Sequence, residues 1–316
     1  MCAIPFQERN LMESNSRNLN SIYERKNTNQ KYNPKRKTFE ELTLMDSFLF
    51  EAVTEKEENA AVIAKAIIER TTGRKVKKLV IQPQKELKGI NVNQHGIRMD
   101  VYTTEMDDAT DASEAICVYD IEPNNYCEKD LARRNRFYQS LIDSKLLPPA
   151  TPYSALPDMF SIWILPYDPF GDKRMIYTVK NIVTENNQIV YNDGVTKIFL
   201  YTGGTKGGSQ RLKDLLTFME NPIRDNAVDE ELLSILGIID TIKGDPKESD
   251  RYMGIMGVID YERRDAYEDG HEEGRIQGAV ENCKFMNADR DTAKAAIMKQ
   301  FSVTEDKAEE YLKLYW

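Results

Sequence analysis

Two stretches decide the fold of this chain: GIRMDVYT (96–103) and AICVYDIE (115–122). Both are rich in β-branched and aromatic residues, and a polar, acidic segment separates them, which is the pattern of a β-hairpin with a long loop. If the hairpin is symmetric about Asp111, Asp100 lies opposite Glu122. Directly opposed residues share one face of a sheet, so the two carboxylates meet. A slip of one residue would send them to opposite faces.

The segments around this hairpin predict an α/β domain with a mixed sheet flanked by helices, followed by a helical C-terminal region. The predicted helices of the first part begin at Thr38, where TFEE fits a capping box, and continue with 59–70 and 129–144. The further predicted strands are 76–82, 159–165, 175–180 and 197–201. After residue 208 the predicted helices are 210–219, 230–242, 250–284, 292–300 and 304–315.

Composition and charge divide the chain into three predicted parts. Residues 1–37 carry eight basic and three acidic side chains, a net charge of +5, and few large apolar groups, which predicts a disordered basic tail. Because the whole chain has a net charge of -9, residues 38–316 carry -14. Residues 38–208 are the predicted α/β domain and 209–316 the helical C-terminal region. The acidic balance predicts weak non-specific binding to DNA but leaves local basic clusters open to phosphate.

The rare residue types exclude several kinds of chemistry and location. Two histidines, His95 and His271, cannot supply a multi-histidine zinc site, and the four cysteines form no CxxC pair. Dispersed cysteines and the absence of an apolar signal core at the start predict a reduced, cytoplasmic setting. No apolar stretch approaches the roughly 20 residues that span a bilayer, so we expect no membrane association. Catalysis, if present, would depend on carboxylates and a hard cation.

The Asp100–Glu122 pair suits such a cation. Two carboxylates about 5 Å apart repel each other by about 3 kcal/mol at an effective dielectric constant of 20. Proteins keep such a pair when a divalent cation lies between the two groups or when one group stays protonated. Oxygen ligands without histidine or thiolate predict Mg²⁺ or Mn²⁺. Acids on an ordinary surface strand are the alternative interpretation of the same spacing.

Seven stretches add a resemblance to a known family. They are TFEELTLMDSFLF (38–50), QKEL (84–87), HGIRMDVY (95–102), YDIEPN (119–124), KDLARRNRFYQSLIDSKLL (129–147), YDPFG (167–171) and DGVTKIFL (193–200). In this order they resemble the PD-(D/E)XK nuclease family transposases, also called Rpn or recombination-promoting nucleases. The resemblance implies a restriction-endonuclease-like fold, metal-dependent DNA cleavage, and a role in DNA mobility, recombination or defence.

The resemblance also implies roles for individual residues. Asp100 and Glu122 match the two metal-binding acids, and the backbone carbonyl of Pro123 matches a third metal ligand. Asn124 stands where the general motif has lysine and this family usually has glutamine. Asparagine can hydrogen-bond a water but brings no charge, and a displacement of about 1 Å can cost about a hundredfold in rate. Retained cleavage and a weakened or inactive nuclease fold therefore both stay open, and Lys85, Lys129 or Arg133 could supply the missing charge.

The helix predicted over 129–144 separates an apolar stripe that includes Tyr138 from a basic stripe. Lys129, Arg133 and Arg136 form the basic stripe, which we expect to contact DNA phosphates, since arginine offers paired donors. Gln139 flanks the stripe and is a candidate for lining the site. A solvated helix face is the alternative for the whole stripe.

Three more acids are candidates near the site. Asp120 shares a strand face with Glu122 and is a candidate further ligand, whereas we expect Glu86 to be an exposed strand-end acid. We expect Asp46 to be structural. Pro and Gly of the YDPFG turn are expected to set backbone angles.

Two rival functions belong to other classes. A non-catalytic DNA-binding module would bind DNA in a salt-sensitive way without turnover, and a protein-interaction factor would use the acidic body and helical tail. The C-terminal helices could also mediate self-association, although Gly270, Gly274 and Gly278 lie in a segment so charged that a solvated helix is the favoured interpretation.

Overall fold

A computed structural model describes residues 37–88, 96–106, 115–127, 129–147 and 149–316, except for the side chains of 260, 262–269 and 272. Most of the predicted basic tail, His95 and the centre of the hairpin loop at Asp111 lie outside the described residues.

The described chain begins with turns rather than with the helix predicted at Thr38. The first helix, α1, is Ser47–Thr54, and α2 follows at Glu57–Thr72. The prediction was wrong because long-range contacts hold the segment before α1 in another shape. Lys243 Nζ donates to the backbone oxygens of Glu40 and Leu42, each at 2.7 Å. The helix α2 ends at Gly73, whose φ of 72° suits glycine.

A six-stranded mixed sheet forms the centre of the molecule, as the sequence predicts. Its strands lie in the order β1-β4-β5-β6-β8-β7. Their bounds are Lys78–Pro83 (β1), Val101–Met106 (β4), Ala115–Pro123 (β5), Asp158–Leu165 (β6), Ile176–Val179 (β7) and Val195–Tyr201 (β8). The pairs β5/β6 and β6/β8 are parallel, and the other three pairs are antiparallel.

The decisive hairpin has the predicted register. Val101 pairs with Ile121, and the same register continues from Tyr102 to Thr104, so the pairing symmetric about Asp111 is confirmed. The first stretch is not one strand, however. Ile97–Arg98 (β3) pairs instead with Glu86–Leu87 (β2) in a separate two-stranded sheet, and β4 begins only at Val101. The register shifts between Glu105 and Met106, at the loop end of the hairpin.

Helices cover both faces of the sheet, and alternation along β5 assigns each side chain to one of them. We call the side with Tyr119 and Ile121 the α2 face, because these residues share a hydrophobic cluster with α2. The opposite side, with Val118, is the α3 face; it packs on helix α3, Leu131–Leu146. The α2-face cluster also includes α4 (Gln210–Glu220) and α5 (Glu230–Lys243), so the packing runs across residue 208 and the domain boundary there stays a prediction.

The C-terminal region is helical, as expected, with α6 at Pro246–Phe285, α7 at Arg290–Phe301 and α8 at Glu305–Tyr315. Val280 of α6 packs with Ile297 and Leu312 of the last two helices in a small cluster of their own. A Cβ at Gly270, Gly274 or Gly278 would meet no described atom within 4 Å, so packing within this chain does not require these glycines. None of the helices in the described ranges is long and apolar enough to cross a membrane.

Candidate functional site

Three carboxylates meet on the α3 face at the end of the decisive hairpin. Asp120 and Glu122 lie two residues apart on β5, and Asp100 comes directly before β4 in the register that faces Glu122. The Asp100 backbone N–H donates a 2.9 Å hydrogen bond to Glu122 Oε1. The structure therefore brings together the two acids that the sequence paired. Asp120, the candidate further ligand, lies on the same face beside them. We call these three residues the carboxylate cluster.

Burial makes the charged form of each carboxylate unfavourable. Burial and then the charge of Glu51 raise the pKa of Asp100 to about 6. Burial and then the charge of Asp100 raise the pKa of Asp120 to about 7. The pKa of Glu122 is raised well above its ordinary value, chiefly by burial and then by Asp120 and Asp100. Without a cation, the cluster therefore retains protons near neutral pH.

Asp120 is fully buried, and its Oδ1 accepts no hydrogen bond from the N–H and O–H groups of the described residues. Its Oδ2 is 3.4 Å from the hydroxyl of Ser161, its register partner on β6. This acid is therefore incompletely satisfied by its neighbours.

Ser161 connects the cluster to helix α3. Its Oγ accepts hydrogen bonds from Asn135 Nδ2 at 2.8 Å and from Trp163 Nε1 at 3.0 Å. Asn135 and Trp163 are fully buried, as is Asp120. Buried polar groups that bond one another in this way fix the positions of their side chains. The network holds Asp120 beneath the site.

The strand β5 ends at Pro123, the position that a residue without an N–H requires. Asn124 follows it, is buried, and continues the ladder by donating its N–H to the Ile164 oxygen at 2.9 Å. Its Oδ1 accepts the Tyr126 N–H at 3.1 Å. Its Nδ2 is buried and has no acceptor among the described residues. The Asn124 side chain is thus half occupied by its own loop and keeps one donor for another partner.

Arg134 on α3 places a positive charge near the carboxylate cluster. It is not among the site residues predicted from the sequence. Its positive charge lowers the pKa of all three carboxyl groups. Its guanidinium donates to Tyr126 Oη at 2.6 Å and to Tyr138 Oη at 3.0 Å. The guanidinium carbon lies 5.2 Å from the centre of the Trp163 ring.

The predicted DNA-binding residues occupy the outer side of the same helix. Lys129, Arg133 and Arg136 are exposed, with Lys129 just before the helix begins. Gln139 is half-buried, and its Nε2 donates to Asp143 Oδ2 at 3.4 Å. An exposed basic stripe therefore exists, and its contact with DNA stays a prediction.

The remaining acids have the structural roles that the sequence suggested. Asp46 Oδ2 accepts the Thr43 N–H at 2.9 Å, so it closes the turn before α1. Glu86 is exposed on β2. Asp168 of the YDPFG turn accepts three backbone N–H groups and the Tyr177 hydroxyl, and these bonds outweigh burial and lower its pKa.

Lys85 and Glu51 complete the surroundings. The Nζ of Lys85 lies 3.6 Å from the centre of the Tyr102 ring, and burial lowers the pKa of the ammonium. Glu51 on α1, which the sequence analysis also missed, pairs with Arg98 at 2.9 Å. The sequence does not indicate the contact of Lys85 with Tyr102 or the ion pair of Glu51 with Arg98, because both depend on contacts between distant segments.

The oxygen groups present fit a hard divalent cation held by two side chains. Asp100 and Glu122 offer only oxygens, and the Asp120 oxygen that accepts no bond marks a shortage of positive charge. In the described part of the chain, no group of three or more His, Cys, Asp or Glu side chains is arranged to hold a metal ion. Asp100, Asp120 and Glu122 thus do not form a three-ligand metal site in the described residues, and a cation held by Asp100 and Glu122 stays a prediction.

Arg134 could have been found from the sequence. At 3.6 residues per turn it lies between Leu131 and Tyr138 on the stripe of α3 that is otherwise apolar. A charged residue on the inner stripe of a helix needs a partner, whereas one on the outer stripe does not.

No protein-family model, curated protein or solved structure significantly matches this chain.

Proposed function

We propose that this chain is a metal-dependent DNA endonuclease with a restriction-endonuclease-like fold, related to the PD-(D/E)XK nuclease family transposases. The observation that carries the proposal is the hairpin register that sets Asp100 against Glu122, joined by the 2.9 Å bond from the Asp100 N–H to Glu122 Oε1. Buried like charges are retained at a cost, and functional sites are where such costs are common.

The order of elements supports the same proposal. Helix α2, the antiparallel strands β1, β4 and β5, helix α3 and the parallel strand β6 follow one another along the chain. The carboxylate cluster lies at the end of the central strand β5, where Pro123 terminates it. An exposed basic stripe lies on the outer side of α3, the helix that covers the same face. DNA mobility, recombination or defence is the role that the resemblance suggests for such a nuclease.

In the proposed mechanism, Asp100, Glu122 and the Pro123 carbonyl would hold Mg²⁺ or Mn²⁺. A bound ion would lower the pKa of water and offset charge at the phosphate. In the reaction, a water oxygen bonds to phosphorus, the bond from phosphorus to the leaving sugar oxygen breaks, and a proton of the water ends on that oxygen. Asn124 Nδ2 donates to the attacking water, and the Lys129/Arg133/Arg136 stripe positions the DNA backbone with weak sequence preference.

Relaxation of supercoiled plasmid tests the proposal. Wild type should nick the plasmid in Mg²⁺ and not in excess EDTA, whereas Asp100→Asn and Glu122→Gln should be slower by about a hundredfold or more. Glu86→Gln, an exposed acid of the small sheet, should cleave like wild type. Equal nicking by wild type and both site variants, or no nicking by wild type at high enzyme excess, would contradict the proposal.

One observation favours a second candidate, a DNA-binding module that has lost catalysis. Asn124 brings no charge, and its Oδ1 is already bonded to the Tyr126 N–H. This candidate predicts that duplex DNA is retained at low salt and released at higher salt, with no cleavage in Mg²⁺ or Mn²⁺. Charge reversal at Arg133 and Arg136 would abolish that retention, whereas a protein-binding function would survive it.

A further inference from the structure

The carboxylate cluster needs a fixed positive charge that the strand β5 does not supply. Phosphodiester cleavage develops negative charge on the phosphate oxygens, and a positively charged side chain beside the site stabilises that charge. Position 124 is an asparagine, so the charge must come from another element. Three arginines lie in the first two turns of α3: Arg133, Arg134 and Arg136.

Of these three arginines, only Arg134 faces the carboxylate cluster. It is half-buried, whereas Arg133 and Arg136 are exposed. Its guanidinium lies 5.2 Å from the ring centre of Trp163, and Trp163 is the register partner of Glu122 on β6. The side chain therefore lies on the α3 face, one strand away from the acid.

Two phenols fix the orientation of this guanidinium. Tyr138, one turn further along α3, holds one terminal nitrogen, and Tyr126, in the loop that follows Asn124, holds the other. Both phenol oxygens accept a hydrogen bond, so these two bonds orient the guanidinium. Tyr126 is 53% exposed, which places this end of Arg134 at the solvent side of the site.

We propose that Arg134 is the residue that binds the scissile phosphate beside Glu122, in the place of the charge missing at Asn124. This inference rests on the proposed nuclease function and adds to it the residue that neutralises the substrate. Arginine suits the role because its planar donors match two oxygens of one phosphate, and it stays protonated at any working pH. Tyr126 and Tyr138 then act as positioning residues.

A second basic residue of the same helix provides a matched control. Lys145 is exposed in the last turn of α3 and belongs to neither the cluster nor the basic stripe, so Lys145→Gln removes one charge outside the site. We expect Arg134→Gln to lower the single-turnover cleavage rate about a hundredfold and Lys145→Gln to change it less than about threefold. Arg134→Lys, which keeps the charge without the planar donors, should retain at least about a tenth of the wild-type rate. Cleavage by Arg134→Gln within about threefold of Lys145→Gln would overturn the inference, as would a rate in Arg134→Lys no higher than that in Arg134→Gln.

Binding of a labelled DNA duplex in Ca²⁺ separates this inference from the proposed function. If wild type does not cleave, the nuclease proposal fails, and duplex affinity then decides the role of Arg134. A larger loss of affinity in Arg134→Gln than in Lys145→Gln supports the phosphate contact, and equal losses overturn it. Thermal unfolding of each variant identifies a loss that is due to misfolding, and Arg134→Lys, which keeps the charge over Trp163, then gives the decisive comparison.

Discussion

The two faces of the central sheet treat buried charge in opposite ways. On the α2 face, Arg70 is completely buried and bonds Asp229 and Glu231 at 2.7–2.8 Å. Glu105, also buried, accepts from Tyr119 Oη at 2.8 Å and from the Lys77 N–H at 2.9 Å. On the α3 face, by contrast, the carboxylate cluster gathers like charges whose partners do not balance them. The first face pairs its buried charges with groups of opposite charge or with hydrogen-bond donors, and the second places three acids together.

Removal of the central cation of the α2 face should have the largest effect. Arg70→Met leaves Asp229 and Glu231 without their buried partner, so we expect the free energy of unfolding to fall by about 3 kcal/mol. Arg211→Gln removes a cation that is about half exposed and lies 3.3 Å from Glu231, and it should cost less than about 1 kcal/mol. Urea unfolding measures both. Equal losses would show that the burial of Arg70 is irrelevant.

The pH dependence of stability should be set by the α3 face. The pKa of Asp120 is raised to about 7 and that of Asp100 to about 6, whereas both groups titrate near 3.9 when unfolded. Between these values the folded state holds protons that the unfolded state has released. In EDTA, stability should therefore fall as pH rises from about 4 to about 7, by up to about 1.4 kcal/mol per pH unit and group.

Urea unfolding across this pH range checks that slope, and bound Mg²⁺ should reduce it. A double variant, Asp100→Asn with Asp120→Asn, should flatten the curve. Stability that rises steadily with pH in wild type would contradict the account of the cluster.

Replacing a buried carboxylate by its amide should stabilise the protein on the α3 face and destabilise it on the α2 face. At pH 7.5 in EDTA, Asp120→Asn removes a buried like charge, and we expect it to stabilise the protein by on the order of 2 kcal/mol. Glu105→Gln on the α2 face weakens two satisfied hydrogen bonds and should destabilise it by about 1 kcal/mol. Thermal unfolding of the two variants side by side tests the contrast. A destabilising Asp120→Asn would mean that the Ser161 and Asn135 network needs the charge.

The smallest effect expected on stability comes from Tyr126→Phe, which removes only the exposed hydroxyl that holds Arg134. Unfolding should change by less than about 0.5 kcal/mol, since the residue is a surface side chain. The cleavage rate should nevertheless drop about threefold, because the guanidinium loses one of its two anchors. Tyr153→Phe, at a fully exposed position far along the chain, is the control. An unchanged rate in Tyr126→Phe would remove that residue from the positioning role.

Local pattern predicted the hairpin register but not the surroundings of its acids. The prediction assumed that the hairpin folds back symmetrically about Asp111, and the structure has that register. The roles of Ser161 and Asn135 depended on which strand and helix pack beside β5, which is information that no single segment contains. Arg134 is a charged residue on an otherwise apolar stripe of α3, so the sequence alone contains a signal for it.

The prediction of a helix at Thr38 was wrong because contacts between distant segments, rather than local preference, decide the structure there. A capping box is a local preference of about 1 kcal/mol, and tertiary contacts override it readily. The segment before α1 buries Phe39, Leu42, Leu44 and Met45, and one face of a short helix could not bury them all. The PD-(D/E)XK resemblance and the DNA-contact residues remain proposals that the experiments above decide.

The hydrogen bonds of the Lys243 ammonium can form only late in the synthesis of the protein. Its acceptors, the carbonyls of Glu40 and Leu42, precede it by more than 200 positions. A ribosome therefore synthesises the turns before α1 long before it adds Lys243, which binds them. Lys243 is the last residue of α5, so this helix is also complete only at that point. A chain truncated just after β8 would lack α4 and α5, would expose the apolar side chains that these helices cover, and would tend to aggregate.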